Sequence, residues 1–264
     1  MGLTQSVVLS TLSVIFLGTG PSRADVAADA IFRLVVVTHE GPQSPKGTWK
    51  GVESGTAFFV SDDGKAVTNS HVLYRAHRDP EHYRLLAIVG NELYSARVVC
   101  ASSLPYDPTE QPARSVPSLS RDVAEVQVVP LNLPWVDSWG YMEYGTFKKV
   151  ASAHWGGLPR FETLMAAGDA AVGDRVEILG FGFQSVFLHP RLWTADGVVM
   201  GKTVAQDGTE LLEIESTLRA QPGNSGSPVL SVDRRVVGLW TWYSQSHANR
   251  SRAQSAAVVA HPCA

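Results

Sequence analysis

The sequence predicts an all-β protein. Its 264 residues contain no long stretch of helical periodicity. Short runs of Val, Ile and Leu recur instead, separated by Gly, Pro and Asp, which is the pattern of a chain built from many short strands. With 44% hydrophobic residues, a chain of this length can form one large core or two small ones.

The first half of the chain contains about six candidate strands, which is enough for one small barrel. A hairpin turn is predicted at Asp62-Asp63-Gly64, and another connection crosses Gly90-Asn91. The stretch 101–120 is rich in Ser and Pro and is predicted to be a surface loop. The candidate strands are 31–38, 56–60, 65–68, 84–89, 93–99 and a strand that opens at Asp122.

The second half contains a further group of short apolar runs. These candidate strands are 175–180, 194–199, 211–215, 227–230 and 236–242. Between the two groups, residues 131–162 are rich in Trp, Tyr and Pro. This stretch is too long for a simple linker and too aromatic for disorder. We expect it to pack across the seam of the fold or to overhang a cleft, and a structural role is favoured over substrate contact.

Residues 1–24 resemble a signal peptide. The apolar stretch 7–18 is too short to span a bilayer comfortably, and Ser22-Arg23-Ala24 forms a small-x-small cleavage site. The sequence therefore predicts a secreted or periplasmic protein without stable membrane insertion. No Lys or Arg precedes the apolar stretch, so an uncleaved anchor and a disordered leader stay open as alternatives.

Charge and composition argue against several classes of partner. The formal net charge is −3 with a pI near 6.2, and no basic run occurs, so no nucleic-acid partner is predicted. The eight histidines are scattered, and neither a His-Glu-x-x-His motif nor paired Cys-x-x-Cys motifs are present. We therefore expect no metal and no other cofactor. The oligomeric state is not encoded in any visible pattern, and a monomer is favoured.

The chain has two cysteines, Cys100 and Cys263. In an oxidising compartment they could pair and tie the C-terminal tail to a strand of the first half. The alternative is one buried thiol and one thiol in a frayed tail, because two cysteines do not make a disulfide framework. The sequence leaves both readings open.

The segment Gly223-Asn224-Ser225-Gly226-Ser227-Pro228 is the most informative motif of the chain. Small residues around a serine in a tight turn expose its hydroxyl and let two backbone N–H groups point at one site. These are the requirements of an acyl-transfer nucleophile with an oxyanion hole. Gly, Ser and Asn also occur in ordinary turns, so the motif alone is moderately specific. Ser225 is preferred to Ser227, because Pro228 removes an N–H beside Ser227.

Two possible partners of Ser225 lie upstream. His71 follows the predicted strand 65–68, where it would be held rigidly yet could reach a cleft. Asp122 opens a strand in which Val and Ala alternate with Glu and Gln. The chain order His, Asp, Ser is one of three known orders of this triad, the one found in chymotrypsin-type double barrels.

Other residues of the same types are weaker candidates. His77 and His82 lie in a charged stretch that is expected to be solvated. Asp107 and Asp137 lie in Pro-containing loops that no apolar strand follows.

Four motifs together resemble the bacterial trypsin-like serine peptidases, among them the high-temperature-requirement proteases and the glutamyl endopeptidases. Residues 55–73 are similar to their Gly-x-Gly…Thr-Asn-x-His-Val motif, except that Ala57 replaces the second glycine. Asp122-Val123-Ala124 is similar to their Asp-(Leu/Ile/Val)-Ala, residues 173–182 to the strand that opens their second barrel, and residues 223–229 to their serine motif. The resemblance covers about residues 31–260.

This resemblance implies a chymotrypsin-like fold of two six-stranded antiparallel β-barrels with the active site in the cleft between them. The first barrel would span 31–130, the inter-barrel insertion 131–162, and the second barrel with its tail 163–264. Only 39 residues follow Ser225, and they are needed for the second barrel, so no C-terminal PDZ domain is expected.

The implied activity is that of a serine endopeptidase acting on a polypeptide substrate. His71 would be the general base, Asp122 would orient and stabilise its imidazolium, and Ser225 would be the nucleophile. The backbone N–H groups of Gly223 and Ser225 would form the oxyanion hole.

Specificity is harder to predict. Arg219 stands where this family often floors the primary pocket, and it either favours acidic side chains or turns out to solvent. The strand with Trp240, Thr241 and Trp242 would line the pocket and pair with an extended substrate. Trp240 replaces the histidine with which glutamyl endopeptidases read acidic substrates. A preference for small or aliphatic side chains is therefore favoured over one for acidic side chains.

Two other functions stay open. The first is a catalytically silent double barrel that acts as a binding protein, although decay of an enzyme usually removes one triad member. The second is an esterase on another scaffold, against which the motif ending in Ser227 and the triad order both argue, since α/β-hydrolases carry Gly-x-Ser-x-Gly and the order Ser, acid, His.

Overall fold

In the computed structural model, the described residues are 27–39, 49–105, 107–109, 120–132, 140–143, 146–149, 152–153, 156–182, 192–217, 223–243 and 249–264. The predicted signal peptide at 1–24 lies outside these residues. Among the described helices, none is long and apolar enough to cross a membrane.

Six strands of the first half close into a barrel. Their spatial order is β1-β4-β5-β6-β3-β2, and β2 pairs back onto β1. Every one of these pairings is antiparallel, so short connections suffice. The nine-residue helix α1 (Ser70–Arg78) follows β3 directly. The strands are β1 (Ile31–His39), β2 (Trp49–Phe59), β3 (Lys65–Thr68), β4 (Tyr83–Val89), β5 (Glu92–Ala101) and β6 (Ala124–Val129).

The stretch between the barrels adds three short strands to the first sheet. The hairpin of β7 (Gly140–Glu143) and β8 (Thr146–Lys149) pairs in parallel with the start of β2. The two-residue strand β9 (Ser152–Ala153) pairs in parallel with β5. Backbone pairing thus ties parts of this stretch to the outside of the first barrel. Contact with a substrate stays a prediction.

The second half closes into another six-stranded barrel with the order β10-β11-β12-β15-β14-β13. Here too all pairings are antiparallel. A five-residue helix, α2 (Ala256–Ala260), follows the last strand. The strands are β10 (Arg175–Gly180), β11 (Trp193–Val204), β12 (Glu210–Ser216), β13 (Pro228–Leu230), β14 (Val236–Tyr243) and β15 (Arg250–Ser255). The predicted all-β class and the two six-stranded antiparallel barrels are confirmed.

Each barrel has its own core, and a third cluster joins them. The first core holds the rings of Phe59 and Phe161, stacked with centroids 4.1 Å apart. The second core includes Trp240, which is 2% exposed. The third cluster packs Phe58 of β2 against Leu239 of β14, among other residues of both barrels. Because each buried side chain of this size contributes roughly 1.5–3 kcal/mol, this cluster fixes one barrel against the other.

A disulfide joins Cys100 at the end of β5 to Cys263 in the C-terminal tail, with the Cα atoms 5.6 Å apart. The alternative that the sequence left open, two unpaired thiols, is wrong. The bridge anchors the chain end that follows β15 and α2 to the first barrel. It also closes a loop with a sequence separation of 163 residues, which restricts the unfolded chain strongly.

We predict that reduction of the Cys100–Cys263 disulfide lowers the free energy of unfolding by about 2–5 kcal/mol, because the unfolded chain regains the entropy that the long loop removes. Urea unfolding with and without reductant measures the change. The Cys100→Ala/Cys263→Ala variant should start at the lower stability and show no response to reductant. Equal midpoints for the oxidised and reduced protein would contradict the prediction.

Candidate active site

The three predicted catalytic residues lie on segments that meet at the seam between the barrels. His71 is the second residue of α1, Asp122 lies just before β6, and Ser225 lies in the turn before β13. Strand β2 links these segments. A Cβ atom added at Gly55 would lie 2.6 Å from Cγ1 of Val72, the neighbour of His71, and 3.0 Å from the carbonyl oxygen of Ser225. The absence of a side chain at Gly55 therefore lets α1 and the serine turn approach the same point.

His71 and Asp122 form a two-point contact. The Nδ1 atom of His71 lies 2.6 Å from Oδ2 of Asp122, and the backbone N–H of His71 donates to Oδ1 at 3.0 Å. The Asp122 side chain is fully buried, whereas that of His71 is 12% exposed. The carboxylate therefore fixes both the position and the tautomer of the imidazole, and the ring still reaches the surface of the cleft.

The same carboxylate caps helix α1. The N-cap residue, Asn69, is extended and makes no side-chain cap. The first N–H groups of a helix have no partner inside the helix, and negative charge is favourable there. Asp122 fills that need from outside the helix, because its Oδ1 accepts the N–H of His71. One carboxylate thus both caps helix α1 and orients the imidazole of His71.

The backbone of Asp122 is held by side chains of both barrels. The carboxamide of Gln254, on β15, accepts the Asp122 N–H at 2.9 Å and donates to its carbonyl at 2.6 Å. Asn69 donates to the same carbonyl at 2.6 Å. The Thr241 hydroxyl accepts from Asn69 and Gln254 and donates to the carbonyl of Leu239. Polar groups buried in this way are costly unless they are paired, so the network fixes one position for Asp122.

Burial and the nearby carboxylates act in opposite directions on the pKa of His71. Burial opposes the charged imidazolium, but the charge of Asp122 and the hydrogen bond to it, together with the charge of Glu53, raise the pKa of His71 above its usual value. Glu53, on β2, is itself affected by burial, which raises the pKa of its carboxyl despite an ion pair with Arg75. The imidazole thus sits among carboxylates that stabilise its positive charge.

The serine turn requires two of its glycines. Gly223 has φ +94° and Gly226 has φ +87°, a region that other residues rarely adopt. A Cβ atom at Gly223 would collide with the carbonyl oxygen of Phe181, and one at Gly226 with that of Thr56. The turn is also bonded to β14, since the N–H of Gly226 donates to the carbonyl of Trp240 at 3.0 Å. Among the described residues, the N–H groups of Gly223 and Ser225 have no acceptor.

The rival candidates occupy different environments. The Ser227 hydroxyl is fully buried against Gly180, and no hydrogen-bond partner for it occurs in the described part of the chain. His77 is exposed on α1, and His82 is exposed and paired with Asp79. The carboxylate of Asp107 binds Thr109, and Asp137 lies outside the described residues.

The predicted pocket residues divide into two groups. Trp240 is 2% exposed in the core of the second barrel, and Thr241 is 4% exposed with its hydroxyl committed to the network around Asp122. Thr241 would therefore meet a substrate mainly through its backbone, whereas the backbone N–H and carbonyl of Trp240 are already bonded to Ser227 and Gly226. Trp242 is paired with Arg252 in the sheet. Arg219 lies outside the described residues. The roles of all four stay predictions.

Sequence reasoning gave no role to Gln254, Asn69, Glu53 or Thr56. Asn69 lies inside the quoted Thr-Asn-x-His motif, which was the available signal. Gln254 lies on a strand of mainly polar residues that no apolar alternation marks. Glu53 and Thr56 are polar residues on strand β2, and only the three-dimensional contacts reveal their partners. No group of three or more His, Cys, Asp or Glu residues that could hold a metal occurs within the described ranges.

Comparison with known proteins identifies the fold and the family. An inactive mutant form of Rv3671c from M. tuberculosis superposes with a TM-score of 0.53 at 17% identity, covering 96% of this chain and 94% of that one. Deg5 superposes with a TM-score of 0.56 at 13% identity, covering 90% and 88%. At such identities the likeness shows the fold alone.

A curated relative is described as a probable periplasmic serine endoprotease DegP-like of Chlamydia muridarum. It is 23% identical over 203 residues, which make up 75% of this chain and 30% of that protein. The chain thus spans about a third of the length of this relative. The sequence model of the trypsin-like peptidase domain matches residues 55–239, well over half of the chain. The chain belongs to the trypsin-like peptidase family.

Proposed function

We propose that this protein is a serine endopeptidase that cleaves polypeptides through the triad of His71, Asp122 and Ser225 and an acyl-enzyme intermediate. The main support is the two-point contact of Asp122 with His71, on a helix that packs beside the serine turn across Gly55. A buried carboxylate that orients a cleft histidine is the arrangement that a serine nucleophile needs.

The proton path follows from the tautomer. Asp122 engages Nδ1 of His71, so that nitrogen carries the proton and Nε2 is left as the acceptor. Nε2 takes the proton of the Ser225 hydroxyl as its oxygen attacks the peptide carbonyl. The imidazolium, stabilised by Asp122, then donates this proton to the leaving amine. A water molecule, activated by the same nitrogen, hydrolyses the acyl-enzyme and restores Ser225.

The oxyanion would be received by the N–H groups of Gly223 and Ser225. The left-handed backbone at Gly223 orients this turn, and no acceptor in the described part of the chain competes for either group. Donors fixed in this way stabilise the charge that develops in the transition state, and the loss of one donor typically costs roughly 10²–10³ in rate.

A polypeptide substrate would add as a strand to β14. Strand β13 pairs with β14 only as far along as Leu239, and the backbone of the next residue, Trp240, is hydrogen bonded to the serine turn. On that side, residues 241–243 have no partner strand in the described chain. An extended peptide placed there would satisfy its backbone hydrogen bonds and bring its scissile bond toward Ser225. The identity of the preferred side chain stays a prediction, with small or aliphatic residues favoured.

We also propose that the protein acts outside the cytoplasm, in the periplasm or the extracellular medium. The signal peptide predicted over 1–24 supports this location. The Cys100–Cys263 disulfide adds support, since such bonds persist in oxidising compartments.

We predict that a fluorophosphonate probe labels the protein covalently at Ser225, because the proposed base makes this hydroxyl nucleophilic. Labelling should be lost in Ser225→Ala and persist in Ser227→Ala, the matched control at the neighbouring buried serine. Intact-protein and peptide mass spectrometry measure both results. A folded wild-type protein that stays unlabelled would indicate a silent binding protein, and labelling at another residue would refute the proposed nucleophile.

We predict that activity falls as the pH drops through the raised pKa of His71, since only the neutral imidazole can accept the serine proton. Glu53→Gln removes one charge that raises this pKa, so the acid limb of the kcat/KM profile should move to lower pH. Glu81→Gln, which removes an exposed carboxylate elsewhere, is the control and should leave the limb in place. An acid limb that does not move in Glu53→Gln, or moves to higher pH, would contradict the assignment.

A further inference from the structure

We infer that Thr56 is a positioning residue for the nucleophile: its hydroxyl and backbone N–H, supplied by the first barrel, hold the serine turn of the second barrel in its reactive geometry. This inference deepens the proposed function and rests on it. Thr56 would touch neither substrate nor reacting atoms, so its effect would pass through the turn of residues 223–226.

The backbone of Thr56 faces the serine turn because β3 does not extend along β2 as far as Thr56. Strand β3 pairs with β2 only at Phe58 and Phe59. Thr56 pairs with Arg33 of β1 on the other edge of β2. On the edge that faces β3 its N–H has no strand partner, and it donates instead to the carbonyl of Ser225 at 2.8 Å. The serine turn thus continues the hydrogen bonding of β2 across the boundary between the barrels.

The hydroxyl of Thr56 has one possible orientation. It accepts the N–H of Phe181, just after β10, at 2.9 Å. Its own proton is then directed at the carbonyl oxygen of Gly223, which lies at 2.9 Å. One buried hydroxyl therefore connects the two segments of the second barrel that contact each other at Gly223.

Thr56 is itself held firmly. It is fully buried, and its carbonyl accepts the hydroxyl of Thr68 at 2.7 Å. The carbonyl also lies where a Cβ of Gly226 would stand. The turn consequently has little free space on the Thr56 side, and its position is set by hydrogen bonds to a rigid strand.

Gly55 and Thr56, adjacent on β2, link the serine turn to the helix that carries His71. The residue before Thr56 is Gly55, which contacts both Val72 beside His71 and the carbonyl of Ser225. The segment 55–56 therefore fixes the nucleophile relative to the base. A small displacement of a reacting group can cost about 10²-fold in rate, while ground-state binding along β14 would change little.

The test compares three variants of the full chain. Thr56→Val keeps the shape and removes the hydroxyl, and Thr56→Ser keeps the hydroxyl. Ser95→Ala is the control, because Ser95 is also buried on a strand of the first barrel and its hydroxyl donates to the side chain of Asn132 rather than contacting Thr56 or the serine turn. The measurements are the second-order rate constant of fluorophosphonate labelling, kcat and KM for a peptide substrate, and amide hydrogen exchange at Phe181.

We expect Thr56→Val to slow labelling and lower kcat by about 10–100-fold with KM within about threefold, and Thr56→Ser to restore both. Exchange at the Phe181 amide should accelerate more than about tenfold in Thr56→Val, because this N–H loses its acceptor. Ser95→Ala should stay within about threefold of the wild type in all measurements, after correction for the folded fraction.

Equal losses in Thr56→Val and Ser95→Ala, or unchanged rates in folded Thr56→Val, would overturn the inference. The hydrogen-exchange measurement at Phe181 tests the inference about Thr56 separately from the proposed function. If the wild type is not labelled at Ser225, the proposed triad fails, yet loss of Phe181 protection in Thr56→Val alone would still establish the link. Unchanged protection at Phe181 would refute the link whatever the activity.

Discussion

The hydrogen bond from the Thr56 N–H to the carbonyl of Ser225 joins the two barrels at the point where the chemistry would occur. Each barrel closes on itself around its own core. Neither would carry the whole proposed site, because His71 and Asp122 belong to the first barrel and Ser225 to the second. The site therefore depends on the relative position of two bodies, which backbone contacts define more sharply than apolar packing does.

The environment of Asp122 shows how the seam holds a buried charge. A carboxylate removed from water is costly unless it is hydrogen bonded and paired. Within the described residues, His71 makes both hydrogen bonds of the Asp122 carboxylate. The Gln254 carboxamide pairs with the backbone of Asp122 as a neighbouring strand would. Since Gln254 comes from the second barrel, docking of the barrels contributes to the placement of Asp122.

The sequence predicted much of this arrangement. Strands 65–68 and 175–180 were placed to the residue, since apolar runs between Gly and Asp mark buried strands with clear ends. Strand β15 was missed because its exposed face carries Arg250 and Arg252 and its buried face is small or polar. Helix α1 was missed because nine residues with a charged end carry too little periodicity to stand out. The contacts of Thr56 with Gly223 and Phe181, and of Gln254 with Asp122, join residues more than 100 positions apart, and no local pattern reports them.

The most direct test of the account is a crystal structure of the protein after reaction with diisopropyl fluorophosphate. We expect phosphorus on the Ser225 oxygen and a phosphoryl oxygen roughly 2.7–3.1 Å from the N–H groups of Gly223 and Ser225. Nε2 of His71 should lie within about 3.2 Å of the modified oxygen, with the bond from Thr56 to Ser225 unchanged. An adduct on another residue, or a His71 ring out of reach of Ser225, would contradict the central claim that the seam between the barrels assembles a single catalytic unit.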